Sequence, residues 1–274
     1  MTKPIQLPKF RLIIIGDEIL SGRRQDKHFA QVVDILGERG LELYAAEIIS
    51  DERDHIAATL KRSFATDDVV FCCGGIGATP DDQTRQAAAQ ALGLPLQLHP
   101  EAERLITELC QDNERRGRGS SDMSLPENQQ RLQMGFFPQG AEIIPNSFNK
   151  IPGFYIHNHT FTPGFPVMAW PMIEWVLEHK FAHLHHQQHL VEHSFLVFGL
   201  PESRITPSLE QIEARWPGVK AFSLPSVGEN GGRPHIELGV KGQPDESSAA
   251  LQFLRAEVKK LGGRLTPEPD KTQP

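Results

Sequence analysis

The residues best suited to chemistry follow two cysteines in the stretch CCGGIGATPDDQTR, residues 72–85. Glycines let the backbone approach a ligand closely, and free N–H groups in such a loop and at a helix N-terminus favour an anion such as phosphate. Two carboxylates, Asp81 and Asp82, come directly after the glycines. The stretch therefore predicts a phosphate-binding loop with acidic groups beside it. The predicted loop glycines are Gly74, Gly75 and Gly77.

Carboxylates beside a phosphate repel it unless a divalent cation bridges the two groups, and Mg²⁺ prefers oxygen ligands. The carboxylates that suggest such a site are Asp17, Glu18, Asp51, Asp81 and Asp82. The same residues have a plainer interpretation, in which Asp51 and Asp82 only cap helices and the glycines only form a turn. Periodicity alone leaves both interpretations open.

Composition excludes several classes of function. The chain has 274 residues, of which 39% are hydrophobic and 23% are charged, as in ordinary soluble globular proteins. Its formal charge of −7 argues against nonspecific nucleic-acid binding as the main task, because that task needs a basic face. The apolar run Leu12–Ile15 is too short for a signal segment or a membrane span. We therefore expect a cytoplasmic protein with no membrane contact, whose three cysteines are reduced thiols.

Alternating strands and helices must position these groups. Asp26, Asp51 and Thr79 are the predicted N-caps of three helices, and Pro80 with Asp82 fits the first turn of the third. Short apolar runs predict the strands Phe10–Ile15, Leu41–Ile49 and Val69–Cys73.

One helix between successive strands implies parallel pairing with right-handed crossovers, and so a doubly wound, mostly parallel α/β sheet. The carboxyl ends of its strands share one edge, where open α/β sheets bind ligands. This edge brings Gly16, Asp17 and Glu18, after the first strand, near the glycine loop after the third. The two motifs therefore predict one pocket.

Six segments occur in the order found in the competence/damage-inducible protein A (CinA) family, which the chain resembles over nearly its whole length. The N-terminal part is similar to the molybdopterin-binding domain shared with the molybdenum-cofactor biosynthesis proteins MogA and MoaB. The segments are GDEILSG (16–22), SDERDHI (50–56), GGIGATPDDQTRQA (74–87), LPENQQRLQMGFFPQGAEIIPN (125–146), PGF (152–154) and TPGFPVM (162–168).

The resemblance implies a ligand, molybdopterin or a nucleotide, and metal-dependent cleavage of the pyrophosphate of an ADP-ribose-like nucleotide. The family's two critical aspartates fall on Asp51 and Asp82, which would anchor Mg²⁺ or another divalent metal. Asp17 or Glu18 would orient the attacking water. The implied ligand-binding residues are Gly16, Gly74, Gly75, Gly77, Thr79, Asp81, Thr84, Pro163, Gly164 and Pro166.

The chain departs from the family pattern at several polar positions. Gln86 stands in place of a glutamate, and Val167 lies in a segment that lacks the usual serine and glutamate. Two alternatives therefore stay open: a noncatalytic pterin or nucleotide sensor, and a MogA-like adenylylation of molybdopterin. Lys27 and His28 replace a usual Thr-Asn, either as a cationic hold on phosphate or as a solvent-facing first helical turn.

The remaining sequence predicts a second domain. We expect a CinA-like domain over 1–182, a linker over 183–193, a small α+β domain similar to a KH fold over 194–265, and a polar tail over 266–274. The pattern of 194–265 is strand, helix, strand, strand, helix, and SLPSVGENGG (223–232) resembles a KH-like hairpin. It lacks a basic GXXG loop, so RNA binding is not expected. Six histidines in 179–193 mark a domain junction or a metal site. A homo-oligomer, dimer or trimer, is expected, and an amidase domain is not.

Overall fold

The computed structural model describes residues 7–187, 190–228 and 233–265. Its contacts divide the chain into two compact units, Met1–Gln187 and Gln188–Pro274. This division falls inside the segment 183–193, and the domain limits given above stay a prediction. The predicted tail, 266–274, and the end of the predicted hairpin, residues 229–232, lie outside the described residues.

The first unit contains a six-stranded sheet in the order β2-β1-β3-β8-β7-β6 and a pair β4-β5. The strands are β1 (Phe10–Ile15), β2 (Leu43–Ile49), β3 (Val69–Cys73), β4 (Leu96–Leu98), β5 (Phe136–Pro138), β6 (Glu142–Ile144), β7 (Gly153–Ile156) and β8 (His159–Thr162). The four strands β2, β1, β3 and β8 are parallel, whereas β7 and β6 are antiparallel to their neighbours. The predicted doubly wound, mostly parallel α/β sheet is confirmed.

Helices cover both faces of this sheet because its central strands are apolar on both sides. In β1, Leu12 and Ile14 belong to the core under α2 and α7, whereas Ile13 and Ile15 belong to the core under α3 and α4. The helices are α1 (Asp17–Leu20), α2 (His28–Gly37), α3 (Arg53–Phe64), α4 (Thr84–Leu92), α5 (Pro100–Arg115), α6 (Pro126–Gln133) and α7 (Pro166–Lys180).

Two of the three predicted helix caps are wrong. Asp26 does accept the backbone N–H groups of the first residues of α2, at 2.9 Å each. The cap position of α3 is instead Glu52, and α4 begins at Thr84, five residues beyond the predicted cap Thr79. Residues 79–82 form a turn, because the Asp82 carboxylate bonds back to the glycine loop rather than forward to a helix.

The second unit is a four-stranded antiparallel sheet in the order β10-β11-β9-β12, with two helices packed on it through one core. The predicted pattern of strand, helix, strand, strand, helix is observed, followed by a short additional strand. The elements are β9 (Val191–Phe198), α8 (Thr206–Arg215), β10 (Lys220–Ser226), β11 (His235–Gly242), α9 (Pro244–Lys260) and β12 (Arg264–Leu265). Within the described part of the chain, no helix combines the length and the apolar character needed to cross a membrane.

Cys72, Cys73 and Cys110 are free and buried. Burial raises the pKa of the Cys73 thiol to about 12, so this side chain is protonated at neutral pH. A thiol in that state is a weak nucleophile. The cysteines therefore fill the core, as predicted, and contribute no reactive group to the site.

The buried histidine His159 makes stability depend on pH. Its Nδ1–H donates to the His157 carbonyl at 2.7 Å, and its Nε2 accepts from the Ser63 hydroxyl at 2.7 Å, which fixes the neutral ring. Burial lowers the pKa of His159 to about 4. Because the unfolded chain binds this proton more readily, stability falls as pH drops from the ordinary histidine pKa of about 6.5 towards 4.

We expect the free energy of unfolding to fall by about 2 kcal/mol between neutral pH and a pH of about 5 on account of His159. Urea unfolding at both pH values, on wild type and on His159→Gln, measures this effect. The variant should lose most of the pH dependence, whereas a matched change at the exposed His183 should leave it unchanged. Equal pH dependence in wild type and His159→Gln would assign it to other groups.

Candidate functional site

The ends of β1, β3 and β8 meet at the carboxyl edge of the larger sheet. Gly74, directly after β3, donates its N–H to the Thr162 carbonyl at 3.0 Å. A Cβ at Gly74 would lie 2.1 Å from the Ile15 carbonyl oxygen, so only glycine fits between β1 and β3 at this point. A Cβ at Gly164 would lie 3.5 Å from Gly74 Cα. Three of the predicted segments, around residues 16, 74 and 164, are therefore neighbours.

Thr84, the first residue of α4, holds the start of the glycine loop. Its N–H donates to the Gly75 carbonyl at 2.9 Å, and its hydroxyl donates to the Gly74 carbonyl at 3.0 Å. Gly75 has a φ of +68°, and a Cβ there would lie 2.2 Å from the Thr84 hydroxyl. Thr84 is buried, so these bonds form behind the loop, on the side away from solvent.

Asp82 holds the second half of the same loop. Its Oδ1 accepts the Gly77 N–H at 2.8 Å, and its Oδ2 accepts both the N–H of Thr79 at 2.9 Å and the Thr79 hydroxyl at 2.6 Å. Both carboxylate oxygens are thus engaged by donors of the loop that precedes them. In this conformation Asp82 stabilises the loop.

Arg85 supports the loop from the protein interior. Its guanidinium donates to the Gly77 carbonyl at 2.6 Å and also to the Gln133 carbonyl, which ties the loop to the end of α6. Burial lowers the pKa of Arg85 to about 10, partly offset by the nearby charge of Asp82, so the group stays cationic at neutral pH. Sequence reasoning missed this residue. Its signal was an arginine in the first turn of a helix, where a cation opposes the helix dipole.

A second group of acidic residues lies around Asp51. Its Oδ2 accepts the backbone N–H of Asp17 at 2.8 Å, so Asp51 caps α1 rather than α3. Partial burial raises the pKa of Asp51, and the negative charges of Asp17, Glu18 and Asp81 raise it further, against the opposing effect of that hydrogen bond. Four of the five predicted carboxylates therefore repel one another at this edge.

Comparison with known proteins identifies the first unit. The family model described as "Probable molybdopterin binding domain" matches residues 11–183. The chain belongs to this molybdopterin-binding domain family. A protein of Aeropyrum pernix is 28% identical to it over 95% of this chain and 97% of its own length.

Two further relatives carry the CinA name. A CinA-like protein of Anaeromyxobacter sp. (strain Fw109-5) is 28% identical over 84% of this chain, and the chain spans 58% of that relative's length. The crystal structure of the protein CinA from Thermoplasma acidophilum covers 62% of this chain and 97% of its own, with a TM-score of 0.52 and 23% identity. The structural likeness shows the fold, and the family match with these relatives confirms the predicted resemblance to CinA.

Within this family domain, His28 contacts the turn between β8 and α7 that carries Pro163, Gly164 and Pro166. The His28 ring is buried, and its Nε2–H donates to the Gly164 carbonyl at 3.1 Å. Of the two interpretations left open, a solvent-facing first helical turn is therefore wrong for His28, although the neighbouring Lys27 is exposed. Burial follows because the first turn of α2 packs against the turn between β8 and α7.

The predicted metal ligands do not form a resident metal site. Asp82 is engaged with the loop, and Asp51 is bonded to the Asp17 N–H. Over the described ranges, no three His, Cys, Asp or Glu side chains lie close enough together to hold an ion. The residues present therefore do not fit a metal held by Asp51 and Asp82 alone.

Proposed function

We propose that this chain binds a small phosphorylated pterin or nucleotide at the carboxyl edge of the larger sheet. The observation that carries this proposal is a set of backbone donors in the glycine loop. The N–H groups of Gly75, Ile76 and Ala78 have no hydrogen-bond acceptor among the described residues. Oxygen atoms of a phosphate are the acceptors that such a loop favours.

The loop is suited to an anion because it is ordered without one. Thr84, Asp82 and Arg85 bond to its carbonyls and to two of its N–H groups, so the remaining donors are fixed before a ligand arrives. A binding loop that is already ordered loses less entropy on binding. Membership of the molybdopterin-binding family supports a pterin or a nucleotide as the rest of the ligand.

Hydrolysis is the second candidate function, and the carboxylates around Asp51 favour it. We propose cleavage of the pyrophosphate of an ADP-ribose-like nucleotide that arrives as its complex with Mg²⁺ or another divalent cation. Such a cation neutralises charge on the diphosphate and relieves the repulsion of Asp51 by Asp17, Glu18 and Asp81. Asp17 is exposed and Glu18 is half-buried on α1, so either can orient a water molecule.

Isothermal titration with ADP-ribose and turnover assays with several divalent metals separate the two functions. Binding with phosphoanhydride cleavage supports the hydrolase, whereas binding without turnover supports the sensor. The carboxylate of Asp82 is engaged with the loop, and the chain departs from the family pattern at Gln86 and Val167. Both observations favour the sensor over the hydrolase. No binding of any phosphorylated pterin or nucleotide would contradict both.

A cytoplasmic location and a homo-oligomer, dimer or trimer, are also proposed. Light scattering measures the oligomeric state.

The substitution Asp51→Asn should raise the free energy of unfolding and lower the turnover of the diphosphate substrate. The amide keeps an acceptor for the Asp17 N–H but removes a charge that its neighbours repel, so the free energy of unfolding should rise by no more than about 1 kcal/mol at neutral pH. Because the pKa of Asp51 is raised, wild type loses this repulsion as pH falls through it, and the gain should vanish in acid. Turnover of the metal–diphosphate complex should fall by about a hundredfold.

Thermal melts across pH and turnover assays measure these two effects. The matched control is Asp67→Asn, an exposed carboxylate before β3 at the opposite edge of the sheet. It should alter neither quantity. A stabilised Asp51→Asn with unchanged turnover would remove Asp51 from the chemistry, and a destabilised one would show that its charge supports the fold.

A further inference from the structure

A cavity of about 530 Å³ lies on the smaller unit, beside the end of β9. Ligand-binding clefts typically measure about 300–1,000 Å³, so this space suits a small molecule. One wall is apolar and consists of Phe198, the last residue of β9, and of Leu200 and Pro201 just after the strand. All of the described residues that line the cavity belong to the smaller unit.

Two guanidinium groups line the same cavity, from Arg233 before β11 and Arg264 in β12. Neither forms an ion pair with any residue in the described portion of the chain. Glu202 is the only described carboxylate among the lining residues, so the formal charge of the lining is positive. Unpaired arginines in a cleft favour an anion, because the guanidinium fork matches the oxygens of phosphate.

A pair of aromatic rings stands beside these cations. The Phe198 and His235 rings lie 5.6 Å apart between centroids, at 42° to each other. The His235 Nδ1–H donates to the Arg233 carbonyl at 2.8 Å, which leaves Nε2 of the neutral ring to accept from a ligand. Arg264 is directly opposite Phe198 in the antiparallel pairing of β12 with β9.

We propose that this cavity binds a small organic phosphate with a planar ring, of the nucleoside monophosphate class. The arginines take the phosphate, the Phe198 and His235 rings stack on the base, and His235 Nε2 accepts from an N–H or O–H of the ligand. An inorganic anion alone leaves the apolar wall and the rings unused. A long nucleic acid is disfavoured by the net charge of −7.

Arginine modification by phenylglyoxal, followed by peptide mapping, tests the site on the full chain. It measures the modification rate of each arginine, so binding in this cavity is distinguished from binding at the glycine loop. AMP at about ten times its Kd should slow modification of Arg233 and Arg264 by about tenfold, as expected from occupancy. The exposed Arg215 at the end of α8 is not among the lining residues and should react at an unchanged rate. Equal protection of all three arginines, or of none, would overturn the proposal.

Two variants separate the phosphate contact from the ring contact. Arg264→Gln should raise the AMP concentration that protects Arg233 by about tenfold or more. Phe198→Leu should weaken protection by AMP but not by inorganic phosphate. Lys259→Gln removes an exposed charge of α9 outside the cavity and should change neither.

Three results would contradict the proposed ligand class. Inorganic phosphate that protects as well as AMP, with no effect of Phe198→Leu, would indicate a simple anion site. Protection by single-stranded RNA at far lower concentration than AMP would indicate a nucleic-acid surface. Circular dichroism checks that the Arg264→Gln variant is folded. Unchanged protection of Arg233 by AMP in this folded variant would show that the two arginines do not bind one phosphate together.

Discussion

Replacing Asp82 by asparagine should weaken binding of a phosphorylated ligand by about a hundredfold and lower the free energy of unfolding by about 2–3 kcal/mol. The carboxylate accepts three hydrogen bonds, from the N–H groups of Gly77 and Thr79 and from the Thr79 hydroxyl. An amide presents one oxygen, and its NH₂ faces donors on the other side. The substitution also removes the negative charge close to the buried Arg85 guanidinium.

Urea unfolding and calorimetric titration of ADP-ribose measure the two losses at Asp82. Asp67→Asn removes the same charge from an exposed position at the opposite edge of the sheet and serves as the control. A residue that only caps a helix should cost no more than about 1 kcal/mol and should leave affinity nearly unchanged. That outcome would restore the capping interpretation and contradict the role of Asp82 in holding the loop.

Replacing Gly75 by alanine should cost about 3 kcal/mol of stability and abolish measurable ligand binding. A left-handed conformation costs an L-residue about 1–2 kcal/mol, and Gly75 has a φ of +68°. The new Cβ would also lie 2.2 Å from the Thr84 hydroxyl, so Thr84 has to move and release the Gly74 carbonyl. The loop then loses the support that fixes its free N–H groups.

Gly93→Ala is a matched control for Gly75→Ala. Gly93 ends α4 with a φ of +65°, and a Cβ there would have no atom within 4 Å. It carries the same backbone strain without the collision, so it should cost about 1 kcal/mol and leave binding intact. Equal losses in both variants, measured by unfolding and titration, would mean that strain alone acts and that Thr84 does not hold the loop.

Hydrogen bonds across the fold explain what sequence reasoning missed at the site. Asp51 was assigned to the helix that follows it, but its carboxylate reaches Asp17, 34 positions away. His28 bonds to Gly164, which is 136 positions distant. Local patterns predict caps from neighbouring residues, and they carry no information on a partner that only the folded sheet supplies.

Sequence patterns are enough to predict the central strands of the larger sheet and the edge at which their loops meet. Short apolar runs such as Phe10–Ile15 and Val69–Cys73 predicted the central strands with their observed bounds, because a strand buried on both faces must be apolar throughout. One helix between strands then fixed parallel pairing, and so a shared carboxyl edge. Motifs of the family resemblance around Gly16, Gly74 and Gly164 lie at this edge.

The use of each side chain at that edge depends on contacts that exist only in the folded protein. Asp82 turns back to the glycine loop, Arg85 enters the interior, and Asp51 joins the carboxylates of α1. Each choice depends on burial and on partners from other elements, since a charged group adopts the orientation that satisfies it once water is excluded. Spacing along the chain places such residues at the site, and packing decides which of them faces the ligand.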